Sequence, residues 1–135
     1  MSKKLIVFVL ITLNITFSCN TDDDVVGTIN ETFIIGKWQL SSSTKNGTTI
    51  DLDTCDLMET YVFSNSNKVS ITLYTFNTNN VCEEDAKTAY DYTIIGANLT
   101  INNNSAFVIS TPENATLILT SKSSSDTFVN TYTRK

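Results

Sequence analysis

The sequence predicts an all-β protein, a small antiparallel up-and-down β-barrel of about eight strands, preceded by an N-terminal export segment. Three observations carry the all-β class. From Gly36 to the C-terminus, apolar and polar residues alternate in short runs, and no segment after Ile35 keeps a helical period. Turn-forming clusters such as Asn46-Gly47, Asn65-Ser66-Asn67, Gly96-Ala97-Asn98 and Asn102-Asn103-Asn104 punctuate those runs at roughly eight- to twelve-residue spacing. Threonine is the commonest residue, asparagine and serine are plentiful, and proline occurs once, at Pro112. Threonine suits strands and asparagine and serine suit turns. This spacing permits a sandwich as well as a barrel.

Residues 1–18 read as an address. Lys3 and Lys4 precede an apolar run from Leu5 to about Ile15, which is short for a membrane span, and a small residue, Ser18, precedes Cys19. A core helix would not be followed at once by Asn20-Thr21-Asp22-Asp23-Asp24. Thr16-Phe17-Ser18-Cys19 resembles the looser bacterial lipoprotein box of the Bacteroidetes, in which the cysteine is lipidated and becomes residue one. The acidic run after Cys19 resembles their surface-export signal. That resemblance implies a protein lipid-anchored at Cys19 to the outer membrane of a Gram-negative bacterium and displayed outward. Anchoring through more than one acyl chain is firm, at about 0.8 kcal/mol per buried methylene. Residues 19–29 then form the lipidated cysteine and an acidic tether, and residues 30–135 the folded domain.

The chain has 135 residues and a formal charge of −5. Loss of Lys3 and Lys4 with the signal takes −5 to −7 and leaves one domain's worth of chain. An acidic domain without Lys/Arg clusters argues against nucleic-acid partners.

Taken in order, Asn30 to Ile35 is too short for a full helix, although Asn30 can cap one turn, and its apolar residues are expected across a barrel mouth. Gly36 to Thr44 alternates, with Trp38, Leu40 and Ser42 on one face. Asn46-Gly47 is a hairpin turn leading into a short strand at Thr48 to Leu52. Asp51 to Asp56 is an acidic loop, and strands follow at Met58 to Ser64 and Lys68 to Phe76. Asn77 to Asp85 is read as a polar loop before a strand at Thr88 to Ile95. Leu99 to Ile101, Ala106 to Ser110, Ala115 to Thr120 and a last strand carrying Phe128, Asn130, Tyr132 and Arg134 on one face complete the set.

Of the three cysteines, Cys19 is taken by lipid, so Cys55 and Cys82 remain as an even pair in an exported chain, where disulfides persist. Their bond would close a loop of roughly 28 residues and contribute on the order of 3–4 kcal/mol. A metal pair is the alternative, but the chain has no histidine and no CxxC.

Gly36-Lys37-Trp38 resembles the Gly-x-Trp opening of lipocalins, and Arg134 resembles the arginine of their last strand. The wider layout is similar to the lipocalin-like domains of Bacteroidetes lipoproteins: Cys55, Tyr61-x-Phe63, Cys82, Tyr92-x-Ile94, then Leu99-Thr100-Ile101. The resemblance covers about residues 33 to 135. It implies the up-and-down barrel over the sandwich, with Gly36 starting the first strand, Trp38 closing the barrel floor, and Arg134 packing over it in a cation–π contact worth about 0.5–2 kcal/mol. It departs from the family in being short and in lacking a helix after the barrel.

Catalysis finds little support. Without histidine neither a Ser-His-Asp nor a Cys-His arrangement can form, and no Gly-x-Ser-x-Gly elbow is present. Asp51, Asp53 and Asp56, or Glu83, Glu84 and Asp85, are acid–base candidates in polar loops, where charged runs are usually solvated. The first set also offers oxygens to calcium but lacks the glycine and distant glutamate of an EF-hand loop. No metal, cofactor or enzymatic role is therefore expected. Two functions stay open: binding of a small apolar ligand in the barrel mouth, or a filled barrel acting through its outer surface on an envelope protein partner. A cavity of a few hundred Å³ discriminates between them.

Overall fold

The computed structural model describes residues 31–111 and 115–135. The signal, Cys19 and the tether lie outside the described residues. Nine strands follow one helical turn, α1 (Glu31–Ile34): β1 (Gly36–Lys45), β2 (Thr48–Thr49), β3 (Thr60–Phe63), β4 (Lys68–Phe76), β5 (Cys82–Ile95), β6 (Asn98–Ile101), β7 (Ser105–Ser110), β8 (Thr116–Ser123) and β9 (Asp126–Arg134). From β3 onward each strand pairs antiparallel with the next, β1 pairs with β3, and β9 returns to pair with β1. The sheet is a closed eight-stranded antiparallel meander. The two-residue β2 is an extra strand clipped to the far end of β1. Closure removes the open edges that a sandwich would leave, and it settles the architecture in favour of the barrel.

Asparagine makes the turns. Asn46, Asn67, Asn80, Asn102 and Asn103 all adopt positive φ, between 51° and 57°. Asparagine tolerates this left-handed region, so the sheet turns at these points with few glycines. At the first hairpin the Asn46 side-chain carbonyl accepts from the Thr127 N–H at 2.8 Å, and its amide donates to Asp126 at 2.9 Å. That turn is thereby locked to the β8–β9 turn beside it.

Three elements depart from the sequence expectation. Ser42 does not face inward with Trp38 and Leu40. A bulge against β9 between Leu40 and Ser42 shifts the alternation, so Ser43 is buried and Ser42 exposed. The Ser43 hydroxyl donates to Asn130 at 2.6 Å, which satisfies it inside. The strand expected at Met58 to Ser64 begins only at Thr60, because Asp56–Met58 forms a 3-10 turn. Its carbonyls are engaged: the Gln39 side chain donates to Leu57 O at 2.6 Å. The segment read as a loop from Asn77 to Asp85 is strand over its last four residues, since β5 starts at Cys82 and Cys82 to Glu84 pair with Tyr74 to Phe76 of β4. Alternation could not reveal this half of β5, because most of its side chains face water.

The core is one cluster inside the barrel. Trp38, Phe63, Val69, Leu99, Leu117, Leu119 and Tyr132 are essentially inaccessible. Tyr92 meets Phe63 edge-on at 5.1 Å between ring centres, a geometry the ring quadrupoles favour. The Tyr92 hydroxyl donates to Ser64 O at 3.0 Å, so a buried ring carries a satisfied polar tip. At the level of Trp38 this packing leaves the barrel solid.

Candidate functional site

The two ends of the barrel differ. At one end β1 begins, β9 finishes, and α1 lies across the opening. Trp38 is 0% exposed, and its indole N–H donates to the Ile34 carbonyl at 2.7 Å. Arg134, directly opposite Trp38 in the β1–β9 register, stacks its guanidinium over the indole at 4.4 Å and over the Phe33 ring at 5.4 Å. Its two terminal nitrogens donate to the carbonyls of Ile35 (2.9 Å) and Phe33. One side chain therefore caps the end of α1, covers the tryptophan and closes the floor. Gly36 is required here: its φ is +131°, and a Cβ would lie 2.8 Å from Arg134 Nη1. The structure thus brings Gly36, Trp38 and Arg134 together as one structural unit.

The opposite end is built by the β1–β2 turn, the 50–59 loop, and the β4–β5, β6–β7 and β8–β9 turns. Cys55 and Cys82 are joined by a disulfide with Cα atoms 5.3 Å apart, which ties the 50–59 loop to the start of β5. The acidic residues of that loop organise it. Asp53 accepts from the N–H groups of Cys55 (2.7 Å) and Asp56 (2.8 Å), and Asp56 accepts from the N–H of Asp53 at 3.0 Å. These bonds tie the Asp53 and Asp56 carboxylates to the backbone of the 3-10 turn. Glu83, of the second acidic run, accepts from the Asn77 amide at 3.3 Å in an exposed position.

Beside this loop the wall of the barrel opens into a cleft of about 440 Å³. Its cause is a mismatch of strand lengths. The Cys82–Tyr90 half of β5 pairs with β4, whereas β6 pairs only with Tyr92–Ile95. Likewise β7 pairs with β8 through Val108–Ser110 and not through its first three residues. Beyond Asn102, whose N–H still donates to Asp91 O at 2.9 Å, the tip of the β6–β7 hairpin pairs with neither neighbouring strand. Ile71, Leu73, Ile101 and Phe107 supply an apolar wall, with the rings of Tyr61 and Tyr90 beside them. Thr88, Asn102, Asn104 and Ser105 supply a collar of uncharged hydrogen-bonding groups. The volume lies in the lower half of the usual range for small-molecule sites.

Behind the cleft sits a polar network that the sequence did not disclose. Tyr132 donates its hydroxyl to Glu59 Oε1 at 2.8 Å, and Tyr61 packs edge-on against Tyr132 at 5.1 Å. Burial raises the Glu59 carboxyl above its ordinary range, the Tyr132 hydrogen bond opposes that shift, and nearby Asp56 adds to it. Burial, then the charge of Glu59, pushes Tyr61 up to about 12, and Tyr132 is raised further, again chiefly by burial. Both phenols therefore stay protonated at neutral pH. In the sequence Glu59 falls on the face of Tyr61 and Phe63 in the strand read at Met58 to Ser64, but nothing there joins it to Tyr132, 73 residues on. Asn102 and Asn104 read only as turn residues, because their positive contribution depends on where the turn is carried.

No curated protein shows significant similarity to this chain. A family model for the lipocalin-like domain matches residues 34–133, which spans the barrel from α1 to the end of β9. The closed meander, the sealed tryptophan floor and this match agree, and the chain belongs to the lipocalin-like domain family.

Proposed function

We propose that this protein is a non-enzymatic, membrane-anchored lipoprotein that binds a small, largely apolar ligand in the cleft at the barrel mouth. The observation that supports this most is the cleft itself, about 440 Å³ with an apolar wall, at the end opposite the Trp38 floor. A barrel selected only for solidity would have paired β5 with β6, and β7 with β8, along their full length. The anchor at Cys19 belongs to the same proposal. The chain enters the barrel at its floor through α1, so a lipid at Cys19 would leave the mouth on the side away from the membrane. The tether of residues 19–29 reaches about 40 Å at most. Such an arrangement suits capture of a ligand from the surrounding medium.

The test is to extract the protein gently from its native membrane and analyse the small molecules that leave with it, then to titrate the delipidated protein with an environment-sensitive apolar dye. Dye binding that Phe107→Trp or Ile101→Trp abolishes, by filling the cleft, is the expected result. Absence of co-purifying molecules together with absence of dye binding would sink the proposal. An envelope accessory role through the outer surface is the second reading. Its support is the pair Phe76 and Val81, 44% and 58% exposed on either side of the β4–β5 turn. Crosslinking at that turn in whole cells would recover the same envelope protein reproducibly if this reading holds.

A further inference from the structure

We infer that the cleft selects an uncharged amphiphile, with an apolar tail and a hydroxyl- or amide-bearing head, and discriminates against fatty-acid anions. This rests on the ligand-binding proposal and concerns the chemistry of its ligand.

The lining contains no lysine or arginine. A carboxylate entering an apolar cleft needs a cation or several N–H donors to offset its lost hydration. The cations at this end of the barrel are engaged or turned away. Lys45 is paired with Asp126 at 2.8 Å. Lys87 lies between Ala86 and Thr88 on β5, and those two line the cleft, so Lys87 faces outward. Lys122 is on β8, which contributes nothing to the lining. The carboxylates, in contrast, crowd the same end. A recess adjoining the cleft is lined by Asp56, Glu59 and Asp85 and shares the Leu73 wall with it. An anionic head group would therefore meet a field of its own sign with no counter-charge in reach.

The collar fits a neutral head. Asn102 and Asn104 each offer an amide donor and an amide acceptor, and Thr88 and Ser105 each offer a hydroxyl. Both asparagines sit at the tip of the β6–β7 hairpin, where Asn102 holds φ 53°, and Ser105 and Phe107 follow on the same strand. One short hairpin thus presents the polar collar and part of the apolar wall together. A cationic head is drawn by the same carboxylates but finds none of them in the lining, so nothing there offsets its lost hydration directly, and Glu59 is already bonded to Tyr132.

Four ligands with the same dodecyl-length tail make the test: monolauroylglycerol, lauramide, laurate and dodecylamine. Each is titrated calorimetrically into the delipidated full chain at neutral pH, below its aggregation threshold. The two neutral ligands should bind at least about tenfold more tightly than laurate, and Thr88→Lys should erase or invert that gap. Laurate binding as tightly as monolauroylglycerol would overturn the inference while leaving ligand binding intact. Dodecylamine binding tightest would overturn it in favour of a cation site at Glu59. An unchanged gap in Thr88→Lys would show that collar charge does not set the preference. Failure of all four to bind would remove both the inference and the function on which it rests.

Discussion

Arg134→Ala offers the sharpest test of how this barrel is closed. The side chain makes three kinds of contact at the floor: two hydrogen bonds from a charged donor to the carbonyls of Phe33 and Ile35, a stack on Trp38 at 4.4 Å, and a looser one on Phe33 at 5.4 Å. Fully buried, each charged hydrogen bond would be worth about 1.5–3 kcal/mol. Arg134 is solvent-exposed, however, and water can replace it at the carbonyls, so each bond counts as an ordinary one of about 0.75–1 kcal/mol. The stack adds about 0.5–1 kcal/mol at such a site. The expected loss is about 2–3 kcal/mol, which corresponds to roughly 10–20 °C in Tm for a domain of this size. Arg134→Lys keeps the cation but cannot bridge two carbonyls, and should lose about half as much. Urea unfolding gives the free energies. The emission of Trp38, the sole tryptophan, reports the floor locally and should shift to the red in Arg134→Ala as water reaches the indole. A loss below about 0.5 kcal/mol with unchanged emission would refute the idea that Arg134 seals the floor.

The other predictions concern the mouth and the anchor. Replacing Cys55 and Cys82 together by serine should cost about 3–4 kcal/mol, since the bond closes a 27-residue separation; the same stability in reduced and oxidised protein would contradict this. Glu59 is held above its ordinary value near 4.5, so its contribution to stability is fully present below that pH and is lost as pH rises through the raised value. Glu59→Gln keeps an acceptor for Tyr132 and should gain stability relative to the parent as pH rises through that window; a difference that does not change with pH would rule out the burial argument. Cys19→Ala should move the protein from the membrane fraction to the soluble one, and continued sedimentation with membranes would exclude lipidation there.

Much of this barrel is legible in the chain because a half-buried strand writes its environment into a period of two. Val69, Ile71 and Leu73, or Tyr90, Tyr92 and Ile94, could be assigned to one face without coordinates. Where a side chain faces water on both sides the code falls silent, and that is how the first half of β5 came to read as a loop. The bulge after Leu40 was equally invisible, because the run Ser41-Ser42-Ser43 offers no contrast between faces, and only the pairing with β9 decides which serine turns inward.

The sequence by itself determined the all-β class, the strand order along the chain and the lone cysteine pair of the domain, because each depends on local pattern or on a residue type that occurs once or twice. Gly36, Trp38 and Arg134 were legible as floor residues through their resemblance to the lipocalin opening and last-strand arginine. Tertiary structure decided whether the barrel has room inside. The cleft arises from unequal pairing of β5, β6, β7 and β8, a relation among strands that no single strand records. The same is true of Glu59, whose burial comes from Tyr61 beside it and from Tyr132, which reaches it only because β9 closes on β1. Volume and electrostatic environment are properties of the assembled sheet, and they are what bear on the ligand.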